Sequence, residues 1–260
     1  MTRVLVRALI LLILRSCFWL WRAYRGGQHV YVSRDASFTF FPARGTPRGS
    51  FILAPGGAYF LHLALVDYIT ARALRELQFD VYVLSNLNWP WAGARRTVAA
   101  MRANVDAVCA RSVAPRRLCA SSSAGHVVCA ALVERQDNRD IHCLTLFHSA
   151  FEITHLLVPP LRRVAPLLLR SWRKYDILEQ VTVNQDWLPR QVTCIAAQGD
   201  LLVPAEHQTE VFLARLNEKH INVRFQVRRG QLFPHYLEKV REIFFSPTNY
   251  AKEIISFFQD

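Results

Sequence analysis

The stretch Leu118–Gly125, LCASSSAG, passes from an apolar strand through a turn of small residues into a helix. A nucleophile elbow has this form, because its strand-to-helix turn is so sharp that the residues two before and two after the nucleophile must be small. Ser123, between Ser121 and Gly125, satisfies this rule, and sterics alone also allow Ser122 between two alanines. A serine-rich loop that caps the following helix is the alternative interpretation.

Strand-like and helix-like segments alternate along most of the chain. Helical periodicity occupies His62–Leu77, Ala94–Arg111 and Ala124–Arg135. The predicted strands are Val30–Val32, Phe38–Phe41, Ser50–Leu53, Asp80–Leu84, Arg117–Ala120, Ile141–Phe147, Val192–Ala197 and Ile221–Val227. The alternation predicts an α/β fold with a mostly parallel central sheet flanked by helices. Residues 151–190 break it with an apolar, basic, proline-containing segment, which predicts a short helical cap insertion over the carboxyl ends of the strands.

Two further segments supply partners for a serine nucleophile. Asp200, in QGDLLVP, follows an apolar strand, where a carboxylate can orient a histidine. His235, in GQLFPHY, follows the last predicted strand and is the candidate general base among nine histidines. Taken singly, the aspartate could be a cap residue and the histidine an incidental loop residue. Together, Ser123, Asp200 and His235 have the nucleophile–acid–base order of α/β-hydrolases.

Three motifs resemble those of the hormone-sensitive-lipase-like esterases and deacetylases, the fold-3 group of the α/β-hydrolases. PGGAY at residues 55–59 resembles that family's HGGGY or PGGGY motif, SSSAG at residues 121–125 its GxSAG motif, and DLLVP at residues 200–204 its acid motif. The resemblance implies Ser123 as the nucleophile, because the alignment of SSSAG with GxSAG places Ser123 at the serine of the family motif. It also implies a carboxylic ester hydrolase, lipase-like in its motifs, that works through an acyl-enzyme and needs neither a cofactor nor a metal ion.

The same resemblance implies an oxyanion hole built from backbone N–H groups. The donors would be those of Gly57, Ala58 and Ala124, while Gly56 and Gly125 would support the motifs by allowing close backbone approach.

The motifs depart from the family's pattern at several positions. Pro55 replaces the usual histidine, Ala58 the third glycine and Ser121 the first glycine of the elbow. His126 replaces a second glycine that often follows, and we expect it to crowd the elbow where helix and strand pack closely. Two alternatives therefore stay open: a catalytically inactive binding or scaffold protein, and another hydrolase on this scaffold, such as an arylformamidase or a thioesterase.

The N-terminal segment differs from the rest of the chain. Residues 1–28 contain five arginines, no acidic residue and many large apolar residues. On a helical wheel the arginines share about a third of the circumference, which is typical of a helix lying in a membrane interface. A tilted spanning anchor is the alternative. We therefore predict a membrane-associating helix at 1–28, a hydrolase domain at 29–260, a membrane surface as partner, and a lipophilic ester as substrate.

Composition excludes several classes of protein. With 52% apolar residues the chain is not disordered, and its 260 residues can bury their own core. The net charge of +12 raises the question of nucleic-acid binding, but no nucleic-acid motif is present and no such partner is expected. The six cysteines lack zinc-ligand spacing, which indicates buried thiols and a reducing compartment. A membrane-associated protein with its catalytic domain facing the cytosol is predicted; the oligomeric state is left open.

Overall fold

The computed structural model describes residues 25–56, 64–85, 93–152, 170–197, 200, 203–216, 222–228 and 246–256. In this part of the chain one sheet has the strand order β1-β2-β4-β3-β5-β6-β7-β8. The strands are β1 (Gln28–Tyr31), β2 (Ser37–Phe41), β3 (Ser50–Ala54), β4 (Asp80–Leu84), β5 (Arg116–Ser121), β6 (Cys143–Phe147), β7 (Gln191–Ala197) and β8 (Asn222–Arg228). β2 pairs antiparallel with β1 on one side and with β4 on the other. All pairs among the strands from β3 to β8 are parallel. The predicted mostly parallel sheet is confirmed.

Helices cover both faces of this sheet. They are α1 (Ala64–Glu76), α2 (Gly93–Cys109), α3 (Ser123–Arg135), α4 (Ile177–Val183), α5 (Thr209–Arg215) and α6 (Pro247–Ser256). Residues of α2, α3, α4 and α5 share the larger core cluster, whereas α1 and α6 form a second cluster on the opposite face. Every side chain of β3 and β7 is buried, as expected for parallel strands enclosed between two helical layers.

β5 lies in the middle of the parallel sheet, between β3 and β6. Helix α3 follows it directly and is buried at every position from Ser123 to Leu132. A helix buried on all sides fits the composition of this segment, in which alanine and valine predominate. The elbow between β5 and α3 therefore lies at the centre of the carboxyl edge of the sheet, where open α/β sheets carry their sites.

The predicted cap insertion is described at residues 151–152 and over its second half, residues 170–190. Two short segments there, a 3-10 helix at Arg170–Tyr175 and α4, contribute buried residues to the larger core. They pack against α2, α3 and α5 and so belong to the main helical layer. Residues 153–169 lie outside the described residues, and a cap there stays a prediction.

The five described cysteines have no disulfide partner and are buried, which confirms the predicted free thiols at these positions. They are Cys109, Cys119, Cys129, Cys143 and Cys194. Cys17 lies outside the described residues.

The structure contradicts the predicted membrane-associated, cytosol-facing localisation. Among the residues that it describes, no helix has both the length and the apolar content needed to cross a membrane. Residues 1–24, which carry most of the predicted N-terminal helix, lie outside the described part. The chain turns at residues 25–26, and Gln28, which we placed at the end of that helix, is the first residue of β1.

Candidate active site

Ser122 has the backbone conformation of a nucleophile elbow. Its φ of 53° and ψ of −129° lie in a region that residues other than glycine rarely adopt, because Cβ there crowds the neighbouring peptide. The residue stands between the end of β5 and the start of α3. Ser123 is instead the first residue of that helix. Of the two frames that sequence sterics allow, the strained turn coincides with the frame of Ser122.

Hydrogen bonds tie this elbow to the turn that follows β6. The Ser122 N–H donates to the carbonyl oxygen of Phe147 at 2.9 Å, and the Ser122 carbonyl accepts from the N–H of Ala150 at 3.1 Å. The same carbonyl accepts from the N–H of Gly125 at 3.1 Å, which closes the first turn of α3. The strained conformation is therefore fixed from both sides.

The end of β3 lies directly against the elbow. The N–H of Gly56 donates to Ser121 Oγ at 3.1 Å. A Cβ at Gly56 would lie 2.8 Å from the Ser121 carbonyl oxygen, so this approach requires a glycine. The segment that begins the predicted oxyanion loop thus starts beside the elbow. Gly57 and Ala58 themselves lie outside the described residues.

His126 does not stand at the close approach between α3 and the sheet. That place belongs to Gly125, where a Cβ would meet Ser149 Oγ at 2.2 Å. His126 faces the helical layer instead: its Nε2 donates to the carbonyl oxygen of Tyr175, and its ring lies 5.3 Å from that of Trp172. Burial lowers the pKa of His126 to about 4, so the ring is neutral at physiological pH. The expected crowding of the elbow by His126 is wrong.

Asp200 lies beyond the end of β7 with its carboxylate buried. Its Oδ1 accepts from the N–H of Val203 at 3.0 Å. Its Oδ2 lies 3.9 Å from Nδ1 of His148. His148 follows β6, is buried, and has a left-handed φ of 45°.

Sequence reasoning gave His148 no role in the site. The signal for it was a polar pair, His148 and Ser149, directly after the apolar strand that precedes the strand leading to Asp200. The predicted base, His235, lies outside the described residues. Within the described part of the chain, the edge formed by β5, β6 and β7 brings together Ser122, His148 and Asp200. Nowhere among the described residues do three or more His, Cys, Asp and Glu side chains form a group that could hold a metal ion.

No family model matches the chain, and no curated protein matches it by sequence. Solved structures do match. An inhibited esterase B from Lactobacillus rhamnosis has a TM-score of 0.71 at 12% identity, with 97% of this chain and 95% of that one covered. An esterase from Pyrobaculum calidifontis has a TM-score of 0.69 at 13% identity, with 94% and 90% covered. A sugar hydrolase from Lactococcus lactis has a TM-score of 0.64 at 13% identity, with 90% and 100% covered. At these identities the likeness shows the fold alone.

Proposed function

Because the chain has the α/β-hydrolase fold, as predicted, we propose that it is a serine hydrolase of carboxylic esters. The observation that carries the proposal is the strained backbone of Ser122 at the turn between β5 and α3. In α/β-hydrolases such a turn presents the nucleophile Oγ above the carboxyl edge of the sheet. Strain of this kind costs about 1–3 kcal/mol and persists at functional sites, because a relaxed turn would withdraw the side chain.

We assign the nucleophile to Ser122 in preference to Ser123. Ala120 and Ala124 then flank it at the two positions that must be small. Gly125 comes three residues after the nucleophile, where α3 approaches Ser149. The frame of Ser123 rests on the resemblance of SSSAG to a family motif and would place the nucleophile within the first turn of a regular helix.

The proposed reaction is acyl transfer through a covalent intermediate. His235 takes the proton of Ser122 as Oγ attacks the ester carbonyl, and the tetrahedral intermediate collapses when His235 protonates the leaving alcohol. Asp200 orients His235 and stabilises its imidazolium form. Water then attacks the acyl-enzyme with His235 as base, which releases the carboxylic acid and restores Ser122. The order of these residues in the chain supports their roles.

The oxyanion donors follow from the same frame. The N–H groups of Gly57 and Ala58 keep their predicted role, which the contact of Gly56 with Ser121 supports. The residue after the nucleophile supplies a further donor, which is Ser123 in the frame of Ser122 and Ala124 in the other frame. Loss of one such donor costs about 2.7–4 kcal/mol of transition-state stabilisation.

We infer a small-molecule lipophilic ester as substrate. Several structural neighbours are esterases, one of them crystallised with an inhibitor, which supports a small ester. The lipophilic preference is supported by the sequence of residues 156–169, in which leucine, valine and proline predominate.

A fluorophosphonate probe tests the nucleophile directly, since it reacts only with an activated serine. We expect the native chain and Ser123→Ala to be labelled and Ser122→Ala to remain unlabelled. Labelling that Ser123→Ala abolishes and Ser122→Ala retains would return the nucleophile to Ser123. Folded native protein that takes no label would contradict the proposal and leave the inactive binding or scaffold protein as the function.

A further inference from the structure

The carboxylate of Asp200 is flanked by two described groups, one on each oxygen. The N–H of Val203 donates to Oδ1, and Nδ1 of His148 faces Oδ2 at 3.9 Å. The side chains of His148 and Asp200 are 8% and 1% exposed, so the pair lies away from bulk water. A carboxylate only accepts hydrogen bonds, and Nδ1 of an imidazole can donate one.

The backbone of His148 is fixed between the elbow and β7. β6 lies between β5 and β7, and the turn after β6 is bonded to both neighbours. On one side Phe147 and Ala150 are bonded to Ser122. On the other side the N–H of His148 donates to the carbonyl oxygen of Ile195 at 2.7 Å. One short turn therefore connects the candidate nucleophile to the strand that leads to the candidate acid.

The backbone of His148 has a conformation that glycine and asparagine adopt more readily than histidine. Its φ of 45° is left-handed, where glycine is unstrained and asparagine is common. Glycine at this position would retain the backbone bonds and relieve the strain. What histidine adds at this position is the imidazole that faces Asp200.

We propose that His148 is a positioning residue for Asp200, an inference that rests on the proposed function. Its Nδ1–H holds the Oδ2 side of the carboxylate while Val203 holds the Oδ1 side. Asp200 is thereby presented to the catalytic histidine in one orientation. The separation of 3.9 Å is longer than a hydrogen bond, and hydrogen bonds of catalytic groups are often long in structures without substrate. His148 acts through Asp200 and takes no part in bond making.

This role predicts a specific kinetic signature. Without the His148 contact at Oδ2 the carboxylate turns more freely, and the base that depends on it is less often aligned with Ser122. The loss falls on the chemical step, so kcat decreases about 10-fold or more while KM stays within about 2-fold of native. A change confined to substrate binding would raise KM instead, and a smaller folded fraction would lower the amount of labelled protein without changing the rate constant of labelling.

The test compares His148→Gly and His148→Asn with native protein, all as full-length chains. Both replacements accept the left-handed backbone, and Asn carries its amide nitrogen on the same carbon that bears Nδ1 in histidine. The measurements are the rate of fluorophosphonate labelling, and kcat and KM with p-nitrophenyl butyrate. His142→Gly, an exposed histidine just before the amino end of β6, is the matched control and leaves all three unchanged.

We expect His148→Gly to lower kcat and the labelling rate about 10-fold or more and His148→Asn to restore both to within about 3-fold of native. A native rate in His148→Gly, or an equal loss in both variants, would overturn the positioning role and leave the proposed function intact. Native protein that takes no label would remove both.

Discussion

Gly125 in α3 and Ser149 after β6 approach so closely that no side chain fits between them. A Cβ at Gly125 would lie 2.2 Å from Oγ and 2.3 Å from Cβ of Ser149. Helix α3 therefore begins pressed against the turn that also bonds to Ser122. The glycine sets the distance between the first turn of α3 and the edge of the sheet.

Gly125→Ala is expected to destabilise the protein, although alanine is the better helix former. The helix-propensity gain is about 1 kcal/mol, while overpacking against Ser149 costs about 1–3 kcal/mol and also shifts the elbow. Urea unfolding measures the change. In a Ser149→Gly background, where both clashing atoms are gone, the same substitution is expected to be close to neutral. Equal losses in both backgrounds would mean that this contact is not the cause.

Ser122→Gly is expected to stabilise the fold while abolishing fluorophosphonate labelling. Glycine relieves the strain at φ 53°, but it also raises the conformational entropy of the unfolded chain, which offsets part of the gain. The net increase in the free energy of unfolding is up to about 1 kcal/mol. Ser123→Gly, within the first turn of α3, is the matched control and is expected to lose stability. Thermal unfolding of the two variants should therefore move in opposite directions, and a stability gain in Ser123→Gly alone would place the strain at the other serine.

His126 is expected to make folding stability depend on pH. Its pKa, about 4 in the folded state against about 6.5 in the unfolded chain, means that the unfolded chain takes up a proton first as the pH falls. Stability is therefore lost as the pH drops below about 6.5. Between about pH 7 and pH 4.5 the native chain should lose about 2 kcal/mol relative to His126→Gln, whose amide can still donate to Tyr175. Parallel stability curves for the two chains would contradict the assignment.

Asp67 in α1 is expected to give the opposite pH dependence, with folding stability that falls as the pH rises. Its Oδ2 is buried without a hydrogen-bond partner among the described residues, and burial raises its pKa to about 7. The folded state keeps a proton that the unfolded chain loses near pH 4, so native stability falls as the pH rises from about 4 to 7. Asp67→Asn carries no such proton. Its stability relative to native should therefore grow over that interval, as measured by chemical unfolding at several pH values, and a constant difference would refute the assignment.

The five described cysteines are expected to be unreactive in the folded protein. Burial raises the pKa of Cys109 to about 12 and that of Cys143 to about 11, and it raises those of Cys119, Cys129 and Cys194 as well. Little thiolate is available at neutral pH. A Cys17→Ser chain should release almost no colour from a disulfide reagent until denaturant is added, and then the equivalent of five thiols. Fast reaction of one thiol in folded protein would identify an exposed site.

The fold could be predicted from the sequence because its signals are local. A buried parallel strand needs a short apolar run, and a covering helix needs a longer segment with its own periodicity. Segments such as Asp80–Leu84 therefore have the same bounds in sequence and structure. The position of Ser122 and Asp200 on the loops after β5 and β7 follows from the same alternation, since all parallel strands end at one edge.

The helix predicted at residues 1–28 extends too far at its carboxyl end, because a local pattern does not define where an element stops. The arginine arc of residues 1–28 is a pattern on a helical wheel, and a wheel does not show where a helix stops. Gln28 forms a strand because its neighbours pair with β2, with Gln28 opposite Phe40. The role proposed for His148 could not be predicted from the sequence either, because His148 and Asp200 are far apart in the chain and come within 3.9 Å only in the folded protein.

The sequence by itself determined the α/β architecture, the small residues of the elbow and the order of the candidate triad. It did not determine the frame. We predicted the helix after β5 from Ala124, and in the structure it begins at Ser123. Three consecutive serines satisfy the size rule in two frames, and local propensity scarcely separates them. The tertiary structure separates them because the bonds from Phe147 and Ala150 and the close approach of Gly125 to Ser149 fix one peptide orientation, which places the strained turn at Ser122.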